Sequence, residues 1–548
     1  MINARLPYTR WRVGLTFLLA LPALTIGLWT PAQAAPWATP PAPATAGSLA
    51  TPETPGTIYY GATPAGGGTS KPVLLFVHGK SGQASDWWTD TRYHGHNDMY
   101  DYAYNYGYRT AFVDVDGAGS MWTNGQTLRG EIDSIAAHYG VSSLNVVAHS
   151  KGGIDSQAAI VHYGAAPRVQ KLFTLSTPHW GSPTADLAYS SWTWWIAAIL
   201  GERNDAAYSL QTGYMSWFRS ITDPRPENNN TRYYTSAGTS WGPTFSALWF
   251  GGSYLSFYGS NDGLVPVTYA YNPRATHVFT RNLDHDSIRI GSNVFPTVDT
   301  YVNSLWRTGA ETPTDSPMDA QNPATQVTGS NILRGGPIPA AGSAPTTVRD
   351  SILIEPAAQQ VTLDLLSNTP DLALSWTAPN GQTYGAKPAA TQDEMFNGAY
   401  HYAVTVAAPA AGNWQMRATH AGKDAAAYLL VAAVQSPLTV QLTRDPALTF
   451  APGSALPIQV RVSDAQGRTV TALQVSGDVT LDGAGTPSHF TAQATGNGLA
   501  QRLTLPNATG VANLSLTVTG RLADGSRFER QIATSVPVVA KGAQLSTR

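Results

Sequence analysis

A chain of 548 residues is too long for one ordinary domain, so two or three are expected, with length enough for a sizeable core in the largest. Its 33 Lys and Arg stand against 35 Asp and Glu, and that balance gives no electrostatic case for a nucleic-acid partner, which normally shows as a basic excess or patch. Cysteine is absent, which excludes thiol nucleophiles, thiolate metal sites and disulfides and leaves core burial to stabilise the chain.

The first residues, MINARLPYTRWRVGLTFLLALPALTIGLWTPAQAAP, place Arg5, Arg10 and Arg12 ahead of an apolar stretch that closes on Ala32, Gln33 and Ala34. This is the pattern of a bacterial secretory signal cleaved after Ala34, and it predicts a secreted or periplasmic protein. The competing reading, an uncleaved anchor, is opposed by Pro22 and by the Ala-x-Ala ending. No later segment is apolar enough to span a bilayer. Residues 35–57 are rich in Pro, Ala and Thr and read as an extended linker.

Residues 58–308 alternate buried strands with helical pattern. KPVLLFVHG (Lys71 to Gly79), YRTAFVDVD (Tyr108 to Asp116), SLNVVAHS (Ser143 to Ser150), VQKLFTLSTP (Val169 to Pro178) and THVFTRN (Thr276 to Asn282) are the strands. TLRGEIDSIAAHYG (Thr127 to Gly140) lines Leu128, Ile132 and Ile135 along one helical face. The expected fold class is α/β, a mostly parallel sheet with helices on both faces. Within this block a cap of about residues 180–250 carries seven of the sixteen tryptophans, and YSSWTWWIAAIL reads as an apolar helix. Its apolar face either opens as a lid toward lipid or polymer or buries in the cap's own core.

After a second linker, residues 309–330, the period changes to two. QQVTLDLLS, LALSW, YHYAVTV, PIQVRVS and ANLSLTV alternate apolar and polar residues between turn signals such as PNGQ and AQGR. Two antiparallel β-sandwiches are expected, 331–436 and 437–548. Few aromatics follow Trp376 and Trp414, so the tail reads as a spacer or a stability module rather than a polysaccharide binder.

LNVVAHSKGG (Leu144 to Gly153) sets an apolar run against a serine hemmed in by small residues. A nucleophile elbow needs this, because the chain must reverse from strand into helix while lifting the hydroxyl into the open, where bulky neighbours would clash. Ala148, His149, Ser150, Lys151 and Gly152 match it, with alanine where GxSxG has its first glycine. The competing reading of Ser150 is an ordinary helix N-cap. A lone serine is a poor nucleophile; a histidine must take its proton, and a carboxylate must fix that histidine's tautomer. The chain order in this architecture is serine, acid, histidine. LSFYGSNDGLVPVTYA supplies Asp262 after a strand-like run, and THVFTRNLDHDSIRIG supplies His285 after the last strand. Asp155 lies too close to the serine on its own helix, and Asp284 and Asp286 flank the histidine too tightly to fold back on its ring. The backbone amides of Lys151 and Lys80 are the oxyanion donors, Gly79 allowing the second to approach. His78 and His149 sit beside turns, and His179 in STPHWGSP shapes the rim. His149, His179, Trp180 and Trp195 are the candidates for substrate contact.

FVHGKSG, VAHSKGG, STPHWGSP, NDGLVPV and LDHDS, in that order, resemble the α/β-hydrolase superfamily and within it the secreted bacterial lipases and esterases, over Lys71 to Trp306. The resemblance implies Ser150, Asp262 and His285 as a catalytic triad. Lys80 stands where many such lipases carry an apolar residue. Many also hold calcium near the histidine loop, but LDHDS lacks the His-x-Asp spacing that goes with it, so no metal or other cofactor is assigned. The function expected is a monomeric, exported serine hydrolase, a lipase or esterase cleaving triacylglycerol or other carboxylic esters through an acyl-enzyme. The alternatives are a polyhydroxyalkanoate depolymerase with the same chemistry on a polyester surface, and a catalytically silent hydrolase fold serving in adhesion or binding.

Overall fold

The computed structural model describes residues 37–45, 54–193, 203–305, 322–390 and 398–546. The expected signal segment, Trp194 and Trp195 lie outside them.

Eight strands form the first sheet: β1 (Ala44–Thr45), β2 (Ile58–Tyr60), β3 (Leu74–Val77), β4 (Thr110–Val113), β5 (Leu144–His149), β6 (Val169–Leu175), β7 (Arg232–Gly238) and β8 (Ala275–Arg281). Their order is β1-β2-β4-β3-β5-β6-β7-β8; β3 to β8 pair in parallel, and β1 and β2 run antiparallel at one edge. The α-helices among the described residues are α1 (Met99–Asn105), α2 (Met121–Tyr139), α3 (Lys151–His162), α4 (Pro183–Ala188), α5 (Asp205–Ser209), α6 (Thr212–Thr222), α7 (Ala247–Leu255) and α8 (Gly291–Val302).

The apolar runs of β3 to β6 follow from burial on both faces. Alternate side chains, Leu75, Val77, Val146 and Leu172, pack with Leu128, Ile132 and Ile135 of α2 and Ile160 of α3. The intervening ones, Leu74, Phe76, Val147 and Phe173, pack with Met99 and Ala103 of α1 and Val294, Phe295 and Val298 of α8. Each such side chain contributes about 1.5–3 kcal/mol on burial, so both faces of the sheet are held. Ser120 caps α2 by accepting from the Thr123 amide, and Gly140 ends it in the left-handed region at φ 63°.

Three expectations need correction here. The linker at 35–57 contains β1, which pairs with β2. The cap at 180–250 contains β7, a strand of the main sheet whose sequence, RYYTSAG, lacks the aliphatic run of its neighbours. The strand-like run before Asp262 is the end of α7 and the turn after it.

The tail forms two sandwiches that share one continuous nine-stranded sheet. Asn331–Ile338 pairs along its length with Ala426–Gln435, and its Asn331 meets Gln531 of Arg527–Val538, joining the two halves. Gln326–Gly329, expected in the linker, pairs instead with Leu438–Arg444 in the second sandwich, so the chain enters that sandwich before building the first. The tail is no detached spacer: Arg527–Val538 packs against α4 and α6.

Candidate active site

Ser150 sits between β5 and α3 at φ 52°, ψ −132°, a conformation that L residues adopt only when their surroundings impose it. Glycines impose it. A Cβ on Gly79 would lie 2.7 Å from the Ser150 Cβ, one on Gly152 would lie 2.3 Å from the His78 carbonyl oxygen, and one on Gly153 would lie 2.2 Å from the Thr177 hydroxyl. The Ser150 amide donates to the Leu175 carbonyl at 3.0 Å, and Thr177 Oγ1 donates to the Ser150 carbonyl at 2.7 Å. The elbow is thus braced by β6 and the loop that follows it.

Asp262 and His285 come together across two loops. Asp262 is wholly buried; its Oδ2 accepts from His285 Nδ1 at 2.8 Å, and its Oδ1 accepts from the amides of Leu264 and Val265 at 3.0 and 2.7 Å. The His285 amide in turn donates to the Asp262 carbonyl at 2.9 Å. Gly238, at the end of β7, makes room, since a Cβ there would lie 2.2 Å from the Leu283 carbonyl oxygen and 2.9 Å from the Asp262 Cβ. Three bonds to one carboxylate orient it for the imidazole.

Ser150, Lys80 and His285 line one narrow cavity of about 30 Å³, closed by Ala185 and Ala188 of α4, Ala207 of α5, Leu210 and Leu264. Such a space holds no more than a water or two. The Lys151 amide opens α3 directly after Ser150, and the Lys80 amide follows Gly79, the glycine that touches Ser150. The two lysine side chains diverge. That of Lys151 turns away into a buried ion pair with Asp155, 2.7 and 2.9 Å from its two oxygens. That of Lys80, also buried, lies on the cavity with its Nζ 3.4 Å from Ser81 Oγ.

The candidates for substrate contact are corrected by burial. His149 is 2 % exposed and donates through Nε2 to the His285 carbonyl at 2.8 Å, so it supports the histidine loop. His179 is fully buried between Thr174 and Asn272, and burial holds its pKa well below the ordinary imidazole range. Trp180 belongs to a core cluster with Leu187, Leu248 and Phe250. These three are absent from the cavity lining, and Trp195 lies outside the described residues. Trp217 is buried too, and Trp192, Trp241 and Trp249 are half-buried, Trp249 against the exposed Phe245.

Calcium does not fit the residues beside His285. Asp284 Oδ1 accepts from the amides of Asp286 and Ser287, and its Oδ2 meets His94 Nε2 at 2.7 Å. Asp286 is taken up by Arg289 and the Tyr93 amide.

A contact unforeseen in the sequence closes the roof. Asp186 of α4 is buried and accepts from Ser535 Oγ at 2.6 Å, Thr212 Oγ1 at 2.6 Å and the Thr212 amide at 3.0 Å. Tyr208 of α5 donates to Asp482 at 2.5 Å, and the Ser191 amide donates to Ser515 Oγ at 2.9 Å. Strands of the second sandwich therefore grip the helices that cover Ser150.

Residues 68–191 match the family described as PGAP1-like alpha/beta domain. The chain is similar to a lipase of Bacillus licheniformis, BlEst2, in its propeptide form: 30% identity, 90% of this chain and 99% of that one covered, TM-score 0.70. The mature form of that lipase is 42% identical, with 46% of this chain and 99% of that one covered and a TM-score of 0.43. Triacylglycerol lipase 2 of Saccharomyces cerevisiae is 30% identical over 143 residues, 26% of this chain. The chain spans 44% of the length of that curated relative.

Proposed function

The chain belongs to the lipases and carboxylic ester hydrolases of the α/β-hydrolase superfamily, and from that premise we propose that it cleaves carboxylic esters through Ser150, His285 and Asp262. His285 takes the proton as Ser150 Oγ attacks the ester carbonyl, Asp262 holds the imidazole in the productive tautomer, and the amides of Lys80 and Lys151 stabilise the oxyanion. His285 then returns the proton to the departing alcohol, and water releases the acyl group by the reverse sequence. The observation that carries this reading is the buried 2.8 Å bond from His285 Nδ1 to Asp262, on a cavity that also holds Ser150 at its strained elbow. Reaction with a fluorophosphonate probe tests it: wild type is labelled and Ser150→Ala is not. An intact protein that resists the probe overturns it.

The same reading has the chain exported, on the strength of the arginines and Ala-x-Ala ending of residues 1–34. A second reading concerns the tail. The similar Bacillus lipase is described in a propeptide form, and here the Ser535–Asp186 bond holds α4 over a cavity too small for a long acyl chain. The tail on this reading limits access for long acyl groups. A protease site inserted at residues 310–320 should, once cut, raise kcat/KM for long-chain more than for acetyl esters; an unchanged ratio overturns it.

A further inference from the structure

A second cavity meets the first at His285. It is about 310 Å³, and among its lining groups are Ser81, Asp86, Asp90, Arg92, Asp286 and Arg289. Leu264 and His285 line both cavities, whereas Ser150 and Lys80 line only the narrow apolar one. The chemistry proposed above makes that division meaningful. Ser150 Oγ forms its bond to the carbonyl carbon beside the oxyanion amides, so the acyl group belongs on the side of Ser150 and Lys80. The carbon–oxygen bond to the alcohol then breaks, and the departing oxygen takes its proton from His285. The alcohol therefore belongs on the far side of His285, in the second cavity.

The walls of that cavity are rich in hydrogen-bonding groups whose charges largely cancel. Arg289 donates to Asp286 Oδ1 at 2.6 Å and to the Asp86 carbonyl at 3.0 Å, and lies 3.6 Å from the Asp86 carboxylate. Asp90 and Arg92 add one further charge of each sign from an exposed loop. Ser81 is held with its amide on the Gly117 carbonyl, in the left-handed region at φ 55°. Paired charges leave donors and acceptors without a strong net field, which suits a neutral ligand with several hydroxyls. The volume lies at the small end of ligand pockets, and the apolar walls are few, Leu248 and Leu264. A second long acyl chain has no apolar surface to occupy there.

We propose that the second cavity is an alcohol subsite, and that the preferred substrates are esters of hydroxyl-rich alcohols, glycerol carrying one acyl group or an acylated monosaccharide. The proposal rests on the assignment of Ser150 and His285, and the test separates the two. The full chain is assayed on glycerol monoacetate, glucose 6-acetate and butyl acetate, which share one acyl group and differ in the alcohol. At least tenfold higher kcat/KM on one or both hydroxylated esters than on butyl acetate is expected, and the preferred one identifies the source of the polyol. The double variant Asp90→Leu, Arg92→Leu changes two exposed side chains, and its fold is checked by circular dichroism; the preference should collapse toward unity. Equal or higher kcat/KM on butyl acetate in the wild type overturns the subsite, and so does a preference that survives in the double variant. Turnover of the three esters that persists in Ser150→Ala, or no turnover of any of them by the wild type, overturns the underlying assignment instead.

Discussion

His149 donates its Nε2 proton to the backbone carbonyl of His285 at 2.8 Å, and the two imidazoles lie 4.7 Å apart, centroid to centroid. Burial, reinforced by the neighbouring His285 and Arg289, holds the His149 pKa well below the ordinary imidazole range. It is therefore a neutral donor that anchors the loop of the proposed general base. His149→Ala should lower kcat by about 10²-fold through misplacement of His285, with a much smaller change in KM, while His149→Gln, which keeps a donor, recovers part of the loss. Steady-state kinetics on a soluble acetate ester decides it, and equal activity in His149→Ala counts against the anchoring role.

Asp262→Asn tests the carboxylate itself. An amide nitrogen facing His285 Nδ1 would reverse the tautomer and put a proton on Nε2, the atom that the proposed mechanism needs free to accept the Ser150 proton. Because the Leu264 and Val265 amides still need an acceptor, the asparagine oxygen stays on them and the nitrogen stays toward the histidine. A loss of about 10⁴-fold in kcat is expected, with the Tm little changed. Retention of more than a tenth of wild-type kcat would sink the assignment.

Much of this was legible in the chain. The strands that became β3, β4, β5 and β6 are runs buried on both faces, β8 is a half-buried run at the sheet edge, and elimination by chain order picked the Asp262 and His285 that the fold brings together. The failures have physical causes. ALWFGGSYL is buried along almost its whole length, and burial on every side erases the helical period that separates a helix from a strand. RYYTSAG carries too little aliphatic character to read as a sheet strand, although β7 pairs with β6 and β8. His149, His179 and Trp180 lie close to the serine or its rim in sequence, yet position along a chain does not say which way a side chain points. The pairing of Gln326–Gly329 with Leu438–Arg444 spans more than a hundred residues and leaves no local trace.

Gly152→Ala sets two effects against each other. Alanine in a helix is favoured over glycine by about 1 kcal/mol. Here, however, the new methyl would lie 2.3 Å from the His78 carbonyl oxygen and 2.8 Å from that of Val77, both backbone atoms of the adjoining strand and loop. Overpacking against groups that cannot move aside costs about 1–3 kcal/mol or more, so the clash wins. A fall in Tm of several degrees is expected by calorimetry, with loss of fluorophosphonate labelling as the elbow shifts. A variant as stable as wild type would show that the elbow has more room than these distances allow.

Asp186 makes the clamp between α4 and the second sandwich sensitive to pH. Burial raises its pKa from the ordinary 3.8 to about 6, against the opposing pull of the Ser535 and Thr212 bonds and of the Arg444 charge. An acid whose folded pKa lies above its unfolded one binds more protons folded than unfolded between the two values. Its contribution to stability therefore falls as pH rises through that window, at about 1.4 kcal/mol per pH unit, or about 3 kcal/mol in all by neutrality. Asp186→Asn keeps an oxygen for Ser535 and removes the titration. Its Tm relative to wild type should accordingly be higher at pH 7 than at pH 4, with the crossover in the difference between those two values. Thermal melts of both proteins across pH 4 to 7 supply the comparison, and a constant offset would mean that Asp186 keeps the same charge state throughout.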